Sequence, residues 1–463
     1  MNSTPRVLVA IANHGTKNDV YVQQLLAAYR AMPIAVDIVI LSDRPKDLGR
    51  DVEVRVGAPT ANPWSLPFAH RKLFIERQND YDFFIYSEDD TLLTWQAFKA
   101  FADSQQVLAP NEIAGFMRME IGPDGSRYYS TCHSFFRWDP NSIRERGGKL
   151  WARYTNEHAA CYIVSRDQLR RAIASGGFTV EPHEGRHDML CAAATDIYTR
   201  CGFERLVCLD ELETFTLRHL PDKYIGKMGL PEEEMRWHVE ALRAVHRGEL
   251  TGTLLFEPET ILPGGFGSKF CREPIDPVIA EALGDGSKRV LVWGAGDGFH
   301  EQDLQRRGHD VTVVPLDGVL AECCRRRGLR VLEPGQLASV GPGEFDAIIL
   351  RDVLHLLPEP DALVRCLRQT LTPNGLLLAR IPNLGALRRL VLGVRKPRWR
   401  EVRLERSFPT YRNLARRLRA AGFGSVKPAA TIGGSLESLH KATGGLLRNS
   451  LAHYVYLTGR AAG

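Results

Sequence analysis

The sequence has no long apolar run. No stretch approaches the ~20 residues that span a bilayer, which argues against an integral membrane protein. Cysteine is sparse, with nine in 463 residues. They are scattered, with no CxxC pair and no metal-ligand spacing, so neither a disulfide framework nor a zinc module is indicated. Cys323 and Cys324 are adjacent, a poor geometry for an ordinary disulfide. The simple reading is a reduced, cytosolic setting. No cleavage-site pattern follows the short apolar stretch in MNSTPRVLVAIANHG, which reads as a first β-strand and not as a signal peptide. There is no internal repeat and no low-complexity tract. Neither sign of charge dominates: 60 basic residues stand against 55 acidic ones, for a net charge of +5. No nucleic-acid motif and no interleaving of basic and aromatic residues is present, so nucleic acid is not an expected partner.

What remains is a chain too long for one ordinary core, with the 44% hydrophobic and 25% charged composition of a globular protein. Strand and helix signals alternate from residue 6 to about 230. Residues 6–12 form an apolar, β-branched strand, and residues 19–32 carry Val22, Leu25, Leu26 and Tyr29 at helical spacing. A second strand at 36–41 ends in Ser42 and Asp43. A helix is expected at 68–77 and a third strand at 81–86. Thr94 is placed to cap a helix running to Val107. Such alternation implies a largely parallel sheet covered by helices. A charged helix at 231–247 and the stretch ILPGGFGSKFCREP read as a connector. A second α/β series begins at Arg289. The expected domains are 1–230, a connector at 231–285, and 286–463.

The third strand ends abruptly in Ser87, Glu88, Asp89 and Asp90. Ligands of open α/β sheets sit at the carboxyl ends of strands. Three carboxylates crowded there repel one another, and a divalent cation on diphosphate oxygens relieves that repulsion. The alternative is an acidic loop capping the next helix. The stretch NPWSLPFAHRKLFIERQNDYDFFIYSEDDTLLTWQAF resembles glycosyltransferases of the GT-A fold, especially the exostosin-like group. That resemblance implies a nucleotide-diphospho-sugar-binding domain over roughly 6–230. It implies a DxD-type motif at Glu88, Asp89 and Asp90, where Glu88 departs from the usual leading Asp. Glu88 and Asp90 would hold Mn²⁺ or Mg²⁺, with His219 as a late metal ligand or simply a core residue. Asn13, Asp43 and Asp89 would contact the nucleotide sugar. Arg71 and Lys72 would neutralise diphosphate or else form a solvated helix face. Asp188 would recognise or deprotonate the acceptor hydroxyl, or else only cap its helix. The implied donor is a UDP-sugar, with GDP-sugars behind. The acceptor would be a glycan, free or linked to lipid or protein, in surface polysaccharide, lipopolysaccharide or protein glycosylation.

RVLVWGAGDGFHEQDLQRRG reads as a strand, a glycine turn and a helix, and Gly294, Gly296 and Gly298 allow close backbone approach to a ligand. HDVTVVPLD and EFDAIILRDVLHLLPEPDALVRCLRQTLTPNGLLLARIPN continue the order, and LARRLRAAGFGSV and AHYVYLTGR supply a last helix and closing strands. Residues 286–463 resemble a Rossmann-like class I methyltransferase that uses S-adenosylmethionine. The resemblance places the cofactor at Gly294, Gly296, Gly298, Asp317 and Asp352, with Arg351 nearby and His355 as a base. Two positions depart: Val292 stands where the family has an acid before the first glycine, and Pro315 where it has the ribose-binding acid. Asp317 lies two residues later. The domain is therefore either a working O-methyltransferase or a retained scaffold. A methyltransferase whose first domain only recognises sugar is a third reading. The basic cluster of Arg388, Arg389, Arg395, Lys396, Arg398, Arg400 and Arg403 is either a solvated surface or a contact with anionic membrane at its inner face.

Overall fold

The computed structural model describes residues 4–130, 137–184, 187–225, 229–252, 255–256, 269–383, 411–428 and 454–461. The chain divides into two compact units, Met1–His246 and Arg247–Gly463. The charged helix expected in the connector thus belongs to the first unit, and the residues after it to the second. The basic cluster from Arg388 to Arg403 lies outside the described residues. Among the described residues, no helix is long and apolar enough to cross a membrane, and the cysteines form no disulfide.

In the first unit, β1 (Arg6–Asn13) is buried along almost its whole length, as a central parallel strand must be. Helix α1 (Asp19–Arg30) buries the four residues that set its spacing. Then come β2 (Ala35–Ser42), β3 (Val52–Val56), α2 (Ala69–Glu76), β4 (Phe83–Glu88), β5 (Thr91–Leu92) and α3 (Trp95–Ser104). The Thr94 hydroxyl caps α3 by accepting the Ala97 N–H at 3.2 Å. Short strands follow: β6 (Glu112–Ala114), β7 (Met117–Ile121), β8 (Arg127–Ser130), β9 (Arg144–Arg146), β10 (Lys149–Ala152) and β11 (Cys161–Ser165). The unit ends with α4 (Arg166–Ala174), α5 (Met189–Thr199), β12 (Glu204–Cys208), β13 (Thr216–His219), β14 (Gly229–Pro231) and α6 (Glu232–His246).

The main sheet has the order β11-β4-β1-β2-β3 and is parallel except for β11. Strand β1 has β2 on one side and β4 on the other, so the order reverses there. The ends of β1 and β4 therefore flank the crevice in which such sheets bind ligands. A second sheet, β14-β8-β7-β13-β5, pairs His219 with Thr91 across antiparallel strands. That register carries His219 to the end of the acidic triplet.

The second unit opens with α7 (Pro277–Leu283), β15 (Arg289–Ala295), α8 (Phe299–Arg306), β16 (Asp310–Pro315), α9 (Gly318–Arg326) and β17 (Arg330–Val331). It continues with β18 (Phe345–Arg351), α10 (Pro360–Thr370), β19 (Leu371–Pro382), α11 (Tyr411–Ala420), β20 (Phe423–Pro428) and β21 (Tyr454–Ala461). The sheet order is β17-β16-β15-β18-β19-β21-β20. Only β21 runs antiparallel, pairing with β19 on one side and β20 on the other. Leu291, Trp293, Ile348 and Leu350 pack into one core layer, while Val290, Val292, Ala347 and Ile349 pack into the other. Alternate residues of each strand thus face opposite layers, and the apolar runs are continuous because both faces are covered.

Candidate functional sites

In the first unit, a pocket of about 330 Å³ opens at the ends of β1 and β4, lined by His14, Asn18, Trp64, Glu88, Asp89 and Asp90 among others. Two amides clamp Asp89. Asn13 Nδ2 donates to one oxygen and Asn18 Nδ2 to the other, both at 2.7 Å. Burial still holds the Asp89 carboxyl above its usual range against these two bonds. Asp43 accepts the Gly15 N–H at 2.7 Å and is bonded by Arg44. These partners, Arg44 first, bring its pKa down to about 2. Burial and the neighbouring Asp90 charge raise Glu88 to about 8. Asp90 itself is lowered: burial opposes ionisation, but the His219 hydrogen bond and the His219 and Lys223 charges outweigh it. Glu88 Oε1, Asp90 Oδ1 and Asn13 Oδ1 are buried without a hydrogen-bond partner.

Two expectations need correction here. His219 does not line this pocket and sits between two carboxylates. Its Nε2 lies 3.4 Å from Asp90 and its Nδ1 2.6 Å from Glu120. Burial works against its proton, yet these two carboxylates raise its pKa. Among the described residues, no three His, Cys, Asp or Glu side chains group as a metal site, so Glu88, Asp90 and His219 do not make the expected ligand set.

Arg71 and Lys72 are likewise absent from the pocket. Arg71 is buried, donates to Asp196 at 2.8 Å and lies over the Phe68 ring at 4.2 Å. Lys72 is exposed, 4.0 Å from Glu76. Both line a different hollow, beside Arg55 and Phe178. Asp188 caps α5, accepting the Cys191 N–H at 2.9 Å, and the same helix brings Leu190 to the pocket. The sequence reading missed Asn18, Trp64, Glu120 and Lys223. Nothing in their local pattern marks them, because the fold brings them to the acidic triplet from distant positions.

In the second unit, the end of β15 carries Gly294 at φ 80° and the turn after it Gly298 at φ 83°, the left-handed region that favours glycine. A Cβ on Gly296 would overlap the Cys271 carbonyl. That carbonyl accepts the Asp297 N–H at 2.7 Å. Asp297 is a further residue the sequence reading passed over. Its carboxylate accepts the Phe299 N–H at the start of α8, at 3.0 Å, and binds Arg272, also at 3.0 Å. Asp317 caps α9 through Leu320 N–H at 2.9 Å. The residues before α7 come to the same strand ends. Leu255 N–H donates to Leu316 O at 2.9 Å, and a Cβ on Gly318 would overlap the Thr251 carbonyl.

Beneath the turn lies a buried charged cluster. Lys269 bonds Glu273 and donates to the Arg351 carbonyl at 2.8 Å. Arg351 lies 3.4 Å from Glu273. Both oxygens of Asp352 are bonded by Arg380, and Asp352 sits at φ 54°. Its carboxylate is thus held by a neighbour. Burial and Glu273 raise Glu301 to about 7, and burial and Arg351 lower His300 to about 3. His355 is buried beside a small cavity with Leu354, Asn413 and Arg417.

The glycine turn fits a nucleoside cofactor: it opens a helix at the end of β15, next to the point where β18 takes the other side. A methyltransferase-domain family profile matches residues 268–427. Over these residues the second unit is similar to methyltransferase domains. The match begins before 286, at the residues whose backbone meets the turn, and covers none of the first unit. The chain is similar to the ubiquinone biosynthesis O-methyltransferase of Xanthomonas oryzae pv. oryzae, strain PXO99A, with 33% identity over 95 residues, 19% of this chain and 40% of that protein. The enzyme of the same description in Xanthomonas campestris pv. campestris, strain B100, is 32% identical over 111 residues, 22% of this chain and 46% of that one. The chain therefore spans less than half the length of these relatives. Among solved structures, a methyltransferase from Thermotoga maritima described as a possible histamine N-methyltransferase aligns at 17% identity and TM-score 0.30, over 40% of this chain and 86% of that one.

Proposed function

We propose that the chain is an S-adenosylmethionine-dependent O-methyltransferase whose first unit recognises a sugar-bearing acceptor. The observation that carries this reading is the glycine turn from Gly294 to Gly298, which opens α8 at the strand switch point. Gly294, Gly296 and Gly298 would hold the cofactor's backbone side, and Asp317 its ribose. The cofactor supplies an electrophilic methyl group. Asp352, fixed by Arg380, would order the loop after β18 that carries His355. His355 would take the acceptor hydroxyl proton. The Xanthomonas relatives' description as O-methyltransferases supports oxygen as the acceptor atom.

A second reading, transfer of a sugar from a UDP- or GDP-sugar by the first unit, is favoured by the pocket's place at the ends of β1 and β4. Asn13, Asp43 and Asp89 would then frame the nucleotide sugar and Asp188 the acceptor. The arrangement around His219 does not fit a resident Mn²⁺ or Mg²⁺, and no step is assigned to one.

Calorimetric titration of S-adenosylhomocysteine into the full chain tests the first reading. Micromolar binding, lost on Gly296→Ala, is expected. No binding at millimolar ligand by folded protein would reduce the second unit to a scaffold.

A further inference from the structure

We infer that Trp64 is the stacking platform for a pyranose ring in the first unit's pocket, an assignment that rests on the reading of that unit as sugar-recognising. Trp64 stands on the 3₁₀ turn Pro63–Phe68 and is 50% exposed. The turn is nonetheless tightly held. Asn62 Oδ1 accepts the Trp64 N–H at 3.0 Å, and the Ser65 hydroxyl donates to the Asn62 carbonyl at 2.7 Å. The Thr60 hydroxyl donates to Ser65 Oγ at 2.9 Å. Asn62 Nδ2 donates to Met189 Sδ at 3.7 Å, tying the turn to α5. Trp64 and Leu190 are both large apolar side chains left open to solvent, and both line this one pocket; apolar surface gathered at a concavity marks a binding site.

The pocket pairs this indole with polar oxygens. Trp64 and Leu190 line it together with Glu88, Asp89 and Asp90. Asp90 is 5% exposed and its Oδ1 has no hydrogen-bond partner, and the same holds for Glu88 Oε1. A ligand that satisfies both parts needs one apolar face and a rim of hydroxyl groups. A pyranose has this form: its ring C–H groups lie on an indole face while its hydroxyls donate to carboxylate oxygens. A free phosphate meets the charges of Asp89 and Asp90 and is disfavoured. A volume of about 330 Å³ suits a small ligand of one or two rings.

Saturation-transfer NMR on the full chain tests the assignment, with glucose, galactose, mannose, N-acetylglucosamine, rhamnose and UDP as separate millimolar probes. Ring C–H protons of at least one sugar are expected to saturate in the wild type. Trp64→Ala should weaken that signal about fivefold, in line with a lost aromatic contact, and Trp64→Phe should retain most of it. Thermal melting of both variants checks that they fold. Sugar saturation unchanged in Trp64→Ala overturns the platform while leaving the sugar reading. No sugar saturation in the wild type, or saturation of UDP alone, overturns both. S-adenosylhomocysteine binding in the same samples reports the second unit separately.

Discussion

Replacing Gly296 by Ala probes how the second unit holds its turn. The added methyl overlaps the Cys271 carbonyl, a backbone atom that cannot swing aside like a side chain. Overpacking of this kind costs about 1–3 kcal/mol. Relief by moving residues 269–273 breaks the 2.7 Å bond from Asp297 N–H, and a buried donor left unpaired costs a further ~1–3 kcal/mol. The total is about 2–6 kcal/mol. Gly335 is the control: a Cβ there meets nothing within 4 Å and the backbone is not left-handed, so Gly335→Ala should stay within ~0.5 kcal/mol. Hydrogen exchange by mass spectrometry on a peptide spanning 293–300 reads the effect locally. The lower bound of 2 kcal/mol corresponds to roughly 30-fold faster exchange of the turn amides. Exchange in Gly296→Ala equal to that in Gly335→Ala would refute the account, because the carbonyl of Cys271 would then not be holding the turn.

Glu301 gives a pH test. Its folded pKa, about 7, lies above the ordinary 4.5 of a glutamate because of burial and Glu273. An acid shifted upward costs stability as pH climbs from its unfolded value through its folded one, so this penalty, about 3 kcal/mol in full, is absent at pH 4 and complete near pH 8. Glu301→Gln should flatten the fall in melting temperature of the second unit between pH 5 and pH 8, and an unchanged slope would count against it. In the first unit, His219→Ala strips Asp90 and Glu120 of the imidazole they share. Removal of one partner from a buried charge network should cost about 3–5 kcal/mol in chemical denaturation. A loss under 1 kcal/mol would show that Lys223 alone satisfies Asp90.

The second unit was legible in sequence because its signals are local. Each strand is a continuous apolar run, each glycine turn precedes its helix, and the order of elements is the order of the chain. Asp188 was read as a possible cap from residue type and position, and it does cap; the cap that Asp317 supplies was not foreseen. The parts that eluded sequence reading are pairings across long separations. Arg71 was expected at a diphosphate but meets Asp196, 125 residues away. His219 was expected at a metal but meets Glu120, 99 residues away. A single sequence shows that a charge exists and not which opposite charge the fold delivers to it. The same holds for the connector. Its glycines and prolines signal irregular chain, yet nothing local announces that Cys271 would close the cofactor turn.

Strand β21 has a consequence for synthesis. It lies between β19 and β20, although both precede it in the chain. While residues 454–461 are still being made, β19 and β20 each present an unpaired edge, and the seven-stranded sheet cannot close. Pairing across such a sequence separation is slow, and open edges invite association with other chains. The last helical and strand segments thus wait on the ribosome as an incomplete sheet. A nascent chain halted before Tyr454 would lack an interior strand rather than a dispensable tail.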